Sequence, residues 1–176
     1  ISKKRLHELE INATIVNCSK KGIIDKYRNY FDLINSADVL EHVIDHKEYI
    51  RNCSKLLKIN GLLLIKTPNP LSINNIFSDP HYDLFGVTLL PKYVADYYIC
   101  NIRKVMKEND VIKWIYNQPR LNKHLTNYGF QILQDSYSIM RKNVGKRINK
   151  LNIIFPVSVF VQLRYNSFFC IAKKME

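Results

Sequence analysis

Two rhythms of apolar residues alternate along the chain. The stretches INATIVNC (11–18), YFDLINSA (30–37) and GLLLIKTP (61–68) are short, apolar and rich in branched side chains, which predicts strands. Within the last of these, residues 62–65 have no polar position, as expected of a central strand covered on both faces. Between the second and third, Tyr49, Ile50, Cys53, Leu56 and Leu57 keep the i, i+1, i+4, i+7, i+8 spacing of one buried helix face. Asp45 and Glu48 precede that face with the D-x-x-E spacing of a capping box, and Asn60-Gly61 offers a left-handed stop. Residues 1–10 (ISKKRLHELE) read as a helix near its start. A helix beginning near Pro91 places Tyr98, Ile99, Ile102, Val105 and Met106 on one face. Residues 119–130 (PRLNKHLTNYGF) form a short helix stopped by Gly129, followed by strands at 130–137 and 165–174. Strands alternating with helices predict an α/β domain with a largely parallel sheet. The Pro- and Asn-rich segment 67–91 leaves the C-terminal end of the central strand, the edge where open α/β sheets hold their ligands.

Composition narrows this picture. At 176 residues, 47% hydrophobic and 24% charged, the chain suits one soluble globular domain. The net charge of +12 fits a nucleic acid, an anionic membrane surface or an acidic substrate, but Lys, Asn and Ile fill a third of the chain, a coding bias that explains part of it. No acidic residue falls between Asp135 and Glu176, whereas Arg141, Lys142, Lys146, Arg147, Lys150, Arg164, Lys173 and Lys174 do. Tyr137, Phe155, Phe160, Tyr165, Phe168 and Phe169 interleave with them. Such a run can meet headgroups or nucleic acid; a solvated basic face beside buried aromatics is the better-supported reading, and nucleic acid the weaker partner. Cys18, Cys53, Cys100 and Cys170 form no CxxC pair and sit among apolar neighbours, as small buried hydrophobes in a reducing cytoplasm do. The longest apolar run, 153–163, is broken by Pro156, Ser158 and Gln162. It falls short of the roughly 18 residues of a membrane span.

The segment VLEHVIDH (39–46) sets His42 and His46 four positions apart, a spacing that would share one helix face and could bind zinc. If Asp45 caps the following helix, His42 precedes it and His46 lies inside, and that shared face disappears.

The series FDLI (31–34), LEHV (40–43), LLKING (56–61) and TPN (67–69), with LNKHLTNYGFQI (121–132) beyond it, resembles class I S-adenosylmethionine-dependent methyltransferases. It is similar to the group containing the ubiquinone-biosynthesis O-methyltransferases and enzymes acting on sugars and small metabolites. The resemblance covers about residues 2–136. It implies a Rossmann-like methyltransferase sheet with helices on both faces, lacking its first strands. The family's glycine-rich loop and the acidic residue after its second strand are not in the chain; both would precede Ile1, so the sequence is expected to be an N-terminally truncated domain. A single partial domain then divides into a cofactor-side core (1–70), substrate-side loop and helices (71–128) and C-terminal strands (129–176).

By this resemblance Asn35, Ser36, Ala37 and Asp38 line S-adenosylmethionine at the C-terminal end of their strand, and Cys18-Ser19 occupies the position near the adenine where relatives often have Asp. An ordinary turn with a helix-capping Ser or Asp is the alternative for the first four. His42 is the candidate general base toward a substrate hydroxyl, beside a structural role. His81, in the Pro-flanked loop, is a second candidate base or substrate contact, beside a plain surface turn. Plant small-RNA 2'-O-methyltransferases use an E-x-x-E-H stretch as metal ligands, and Asp38, Glu41 and His42 keep that spacing; the expectation is nevertheless no metal. The reading is thus a cytoplasmic methyltransferase acting on a hydroxyl of a small molecule or glycan, with possible peripheral membrane contact through the basic C-terminal region. The rival is a non-catalytic basic α/β domain that binds nucleic acid or a protein partner.

Overall fold

The structure, a computed structural model, describes residues 22–106, 117–139, 163 and 165–176. The expected elements at 1–10 and 11–18, Cys18, Ser19 and most of the basic C-terminal run lie outside the described residues. Among those described, the elements are α1 (Ile23–Lys26), β1 (Phe31–Ala37), a 3-10 turn (Leu40–His42), α2 (His46–Leu56) and β2 (Leu57–Pro68). They continue with α3 (Ile73–Phe77), a 3-10 turn (Val87–Leu89), α4 (Lys92–Tyr97) running into a π turn (Tyr98–Ile102), α5 (Gln118–Asn127), β3 (Phe130–Asp135) and β4 (Ser167–Lys174). No described helix is long and apolar enough to cross a membrane.

The sheet runs β1-β2-β4-β3. β1 and β2 pair in parallel, but β4 is antiparallel to both its neighbours, so the described sheet is mixed rather than largely parallel. The last strand enters between β2 and β3 from the opposite direction. β3 therefore points the same way as β1 and β2, and the C-terminal ends of all three meet at one edge.

Asp45 caps α2 as its spacing predicts, its carboxylate accepting from the N–H of Lys47 (2.8 Å) and of Glu48 (3.2 Å). The other end differs from expectation. α2 stops at Leu56, and Leu57 is already extended and paired with Phe31. Asn60 and Gly61 sit instead in a bulge of β2, between the Phe31–Leu57 and Leu33–Leu62 pairs. Asn60 takes φ 67°, and a Cβ at Gly61 would lie 2.9 Å from the Lys58 carbonyl oxygen and 3.2 Å from that of Asp32. The Asn-Gly signal marks a left-handed backbone and a close approach, and here a strand bulge uses it instead of a helix stop.

Ile50 and Cys53 of α2 and Leu121 and Leu125 of α5 pack onto Leu63, Ile65, Phe168, Cys170 and Ala172 to form the main core. Leu62 and Leu64, on the other face of β2, are half-buried, so among the described residues one face of the sheet is fully closed. A second cluster joins Tyr82, Leu84, Val87, Ala95 and Ile99. The helix after Pro91 departs from its predicted face: Ile99 is buried, whereas Ile102 and Val105 are exposed. The π turn carries an extra residue and rotates everything after it out of a 3.6-residue phase. α5 ends as predicted, with Gly129 at φ 80°, and Asn117 caps the Arg120 N–H at 2.8 Å.

Cys53 and Cys170 are buried and in no disulfide among the described residues. Burial, with the Asp135 carboxylate nearby, pushes the Cys170 thiol up to about 12. Cys170 is accordingly expected to stay unlabelled by iodoacetamide at pH 8 while the protein is folded and to react once urea unfolds it; labelling of the native protein, read by mass spectrometry, would contradict this.

Candidate active site

Three segments converge at the C-terminal edge of the sheet. β1 ends at Ala37, and Asp38, at φ 53°, turns the chain while its N–H donates to the Lys66 carbonyl at 2.9 Å. The 3-10 turn that follows drives Leu40 into the main core and sends Glu41 inward beside it, both essentially inaccessible. His42 remains at the surface.

Glu41 is the least expected side chain here. Its Oε2 accepts from Thr67 Oγ1 at 3.0 Å, and Thr67, near the end of β2, is itself buried. Its Oε1 is buried and has no hydrogen-bond partner among the described residues. An acceptor left without a donor in the interior costs about 1–3 kcal/mol. The nearest cation-capable group is His81, whose Nε2 lies 3.9 Å away. The His81 ring meets the His42 ring edge-on, with centroids 5.2 Å apart and planes at 71°.

His81 arrives on the segment after β2, which is held at both ends. At its start Asn69 donates its N–H to the Asn166 carbonyl (2.8 Å) and its side-chain amide to the Tyr165 carbonyl (2.7 Å). Asn75 adds hydrogen bonds to the carbonyls of Asn69 (2.8 Å) and Asn166 (2.9 Å). Further on, the buried Asp79 carboxylate accepts from the N–H groups of His81 (2.9 Å) and Tyr82 (2.8 Å). Burial holds the His81 imidazole below its ordinary value, with the Asp79 and Glu41 carboxylates pulling the other way. Burial raises the Asp79 carboxyl, opposed by the same two N–H groups.

The two histidines singled out in the sequence, 39 positions apart, are thus neighbours. His46 stands apart from them in the first turn of α2, as the Asp45 cap requires. Asn35, Ala37 and Asp38 are exposed at the sheet edge, where the cofactor was expected. Ser36 is not: its side chain is buried and its Oγ accepts from Tyr49 Oη at 2.9 Å, because alternation along β1 turns it toward α2. Only its backbone is placed to face a ligand. Asp38 pairs with Lys66 Nζ at 2.8 Å, across the strand pair rather than toward Glu41.

The donor set that could hold a metal ion is therefore Glu41, His42 and His81, whose ligand atoms lie within 4.8 Å of one another, and not Asp38, Glu41 and His42. One carboxylate and two imidazoles suit a divalent transition ion, and the unpartnered Glu41 oxygen fits a ligand role. Donors around such an ion, each at about 2.1 Å, stand roughly 3–4 Å apart, so the three groups would close by about an ångström. The sequence signal for Glu41 was present in L-E-H-V. Thr67 and Asn69 stood in the TPN series without a role, and nothing local announced Asp79, whose partners lie in its own turn.

A mixed open sheet whose parallel strands end together at a polar edge, with a capped turn and a long loop over it, defines a Rossmann-like ligand-binding domain. Comparison with known proteins sharpens the class. Residues 5–135 match the methyltransferase domain family, and the chain belongs to that family, the class I S-adenosylmethionine-dependent fold. A ubiquinone biosynthesis O-methyltransferase of Pectobacterium atrosepticum is 24% identical over 137 residues, covering 77% of this chain and 54% of that protein. Another from Coxiella burnetii is 32% identical over 101 residues, 55% of this chain and 41% of that one. The chain thus spans about half the length of these curated relatives. Among solved structures, a Listeria monocytogenes protein assigned as an S-adenosylmethionine dependent methyltransferase superposes with TM-score 0.52 at 15% identity, covering 99% of this chain and 77% of that one. That likeness concerns the fold. The comparisons lend the non-catalytic binding-domain reading no support.

Proposed function

We propose that the protein transfers a methyl group from S-adenosylmethionine to a hydroxyl of a small molecule or glycan. The observation that carries this is the meeting of His81, His42 and Glu41 at the sheet edge, beside the exposed end of β1. Ala37 and Asp38, with the backbone of Ser36, form the wall that would bind the cofactor; a small residue at Ala37 lets a ligand lie close against the backbone. When bound, the cofactor supplies an electrophilic methyl carbon on a sulfonium. An acceptor hydroxyl that took up this methyl, with S-adenosylhomocysteine as the leaving product, would have to lose its proton. His81 is placed to take it. Burial favours its neutral form, and Glu41 can steady the imidazolium that results. Phe77 and Phe85, exposed and 5.6 Å apart on the same loop, favour an acceptor with an apolar part. A lipid-linked acceptor would pair this feature with membrane contact by the basic C-terminal region.

The test is calorimetric titration of the full-length protein with S-adenosylhomocysteine. Binding is expected, and Ala37→Trp should weaken it by about tenfold or more, since an indole at that edge overfills the wall. Unchanged affinity would remove β1 from the cofactor site.

A second reading of the same cluster is favoured by the unpartnered Glu41 oxygen. Glu41, His42 and His81 would hold a divalent cation, which would polarise the acceptor hydroxyl and lower its pKa.

A further inference from the structure

We propose that Asp79 is a positioning residue for His81: its carboxylate fixes the turn that delivers the imidazole to Glu41 and His42. The inference rests on the reading that His81 serves the transferase site. Asp79 is 1% exposed, and its Oδ1 takes both the His81 and the Tyr82 N–H. Accepting from the N–H groups two and three residues onward defines the turn's shape from within. Backbone bonds close the same turn, Asp83 N–H to the Asp79 carbonyl at 2.9 Å and Asp79 N–H to the Leu84 carbonyl at 3.4 Å. Tyr82 and Leu84 then root the turn in the second apolar cluster, beside Val87 and Ile99.

His81 therefore projects from a turn with two fixings, a buried carboxyl group at its start and two buried side chains after it. The apolar pair sets where the loop packs; it does not set the direction of residue 81, which precedes both. The two hydrogen bonds from Asp79 do, because they orient the peptide planes on either side of His81. Keeping a carboxyl group buried at this position has a local purpose: it points the imidazole at Glu41 Oε1, 3.9 Å from His81 Nε2.

The experiment reads where His81 stands and needs no methyl acceptor. Native full-length protein is treated with diethyl pyrocarbonate, and the modification rate of each histidine is followed by mass spectrometry. The His81 side chain is only 16% exposed, so its rate is expected to be low. Asp79→Ala should raise it about tenfold, as a turn that has lost the acceptor of both hydrogen bonds opens more often. Asp79→Asn, which keeps an acceptor at the same place, should stay within about twofold of the original rate. His124, on α5, should react alike in all three and serves as the reference. A His81 rate unchanged in folded Asp79→Ala, or raised equally in Asp79→Asn, would overturn the proposal. If Asp79→Ala fails to fold by circular dichroism, Asp79→Ser, whose hydroxyl retains one acceptor, is judged against the same outcomes. Failure of this test leaves the transferase reading standing, and absence of methyl transfer leaves the Asp79 result standing.

Discussion

Phe168→Ala is expected to lower the unfolding free energy by about 3–5 kcal/mol. Phe168 lies on β4, inside the sheet, is completely buried, and is the largest of the fully buried side chains among the described residues. Its strand is antiparallel to β2 on one side and β3 on the other, so the surrounding backbone cannot collapse into the space. Cavity cost depends on how far the surroundings relax, and a residue locked between two strands sits at the upper end of the range. Since domains of this kind are stable by only about 5–15 kcal/mol, the variant should be marginal at 37 °C. Urea denaturation gives the number. Phe168→Leu, which leaves a much smaller void, should lose about 1–2 kcal/mol. A loss below about 1 kcal/mol for the alanine variant would mean that the core around β4 repacks, against the geometry described.

The second large effect concerns binding rather than stability. Glu41→Gln is expected to weaken Mn²⁺ or Zn²⁺ binding by about a hundredfold or more, because it removes the only carboxylate from a three-donor set. The fold should survive. The glutamine side-chain oxygen can still accept from Thr67 Oγ1, and the amide keeps the size of the buried side chain. Calorimetric titration on both proteins measures the difference, and a melting curve shows whether the variant is folded. Affinity within about threefold of the original would show that no ion uses Glu41, leaving it to serve His81 alone.

How far the sequence could be read depended on whether a signal was local. Asp45 and Gly129 act on backbone groups close to themselves, and each did what its spacing predicted, whereas the Asn117 cap two residues before Pro119 went unread. The strands at β1, β2 and β4 were legible from apolar runs. Asn60-Gly61 was legible as a left-handed, close-packed point but not as a bulge, since both uses place the same demand on the backbone. The phase slip after Tyr97 could not be seen, because a π turn leaves composition unchanged and only shifts which residues face inward. In the site, His42 and His81 were recognisable as candidates from residue type and position. Their pairing was not, for it depends on a loop folding back across the sheet edge. Ser36 shows the reverse case: its place in the series suggested a ligand contact, and strand alternation sent its side chain to Tyr49.

The bonds from Asn69 and Asn75 to Tyr165 and Asn166 reach across more than ninety residues of chain. The loop that carries His81 therefore cannot take its final anchorage until the start of β4 has been made. On a ribosome, β1, α2 and β2 emerge before that point, so the segments of the sheet edge precede the last tie of the loop over it. A chain that stopped short of Tyr165 would keep His42, Glu41 and His81 in its sequence and lose the tie that holds them in register.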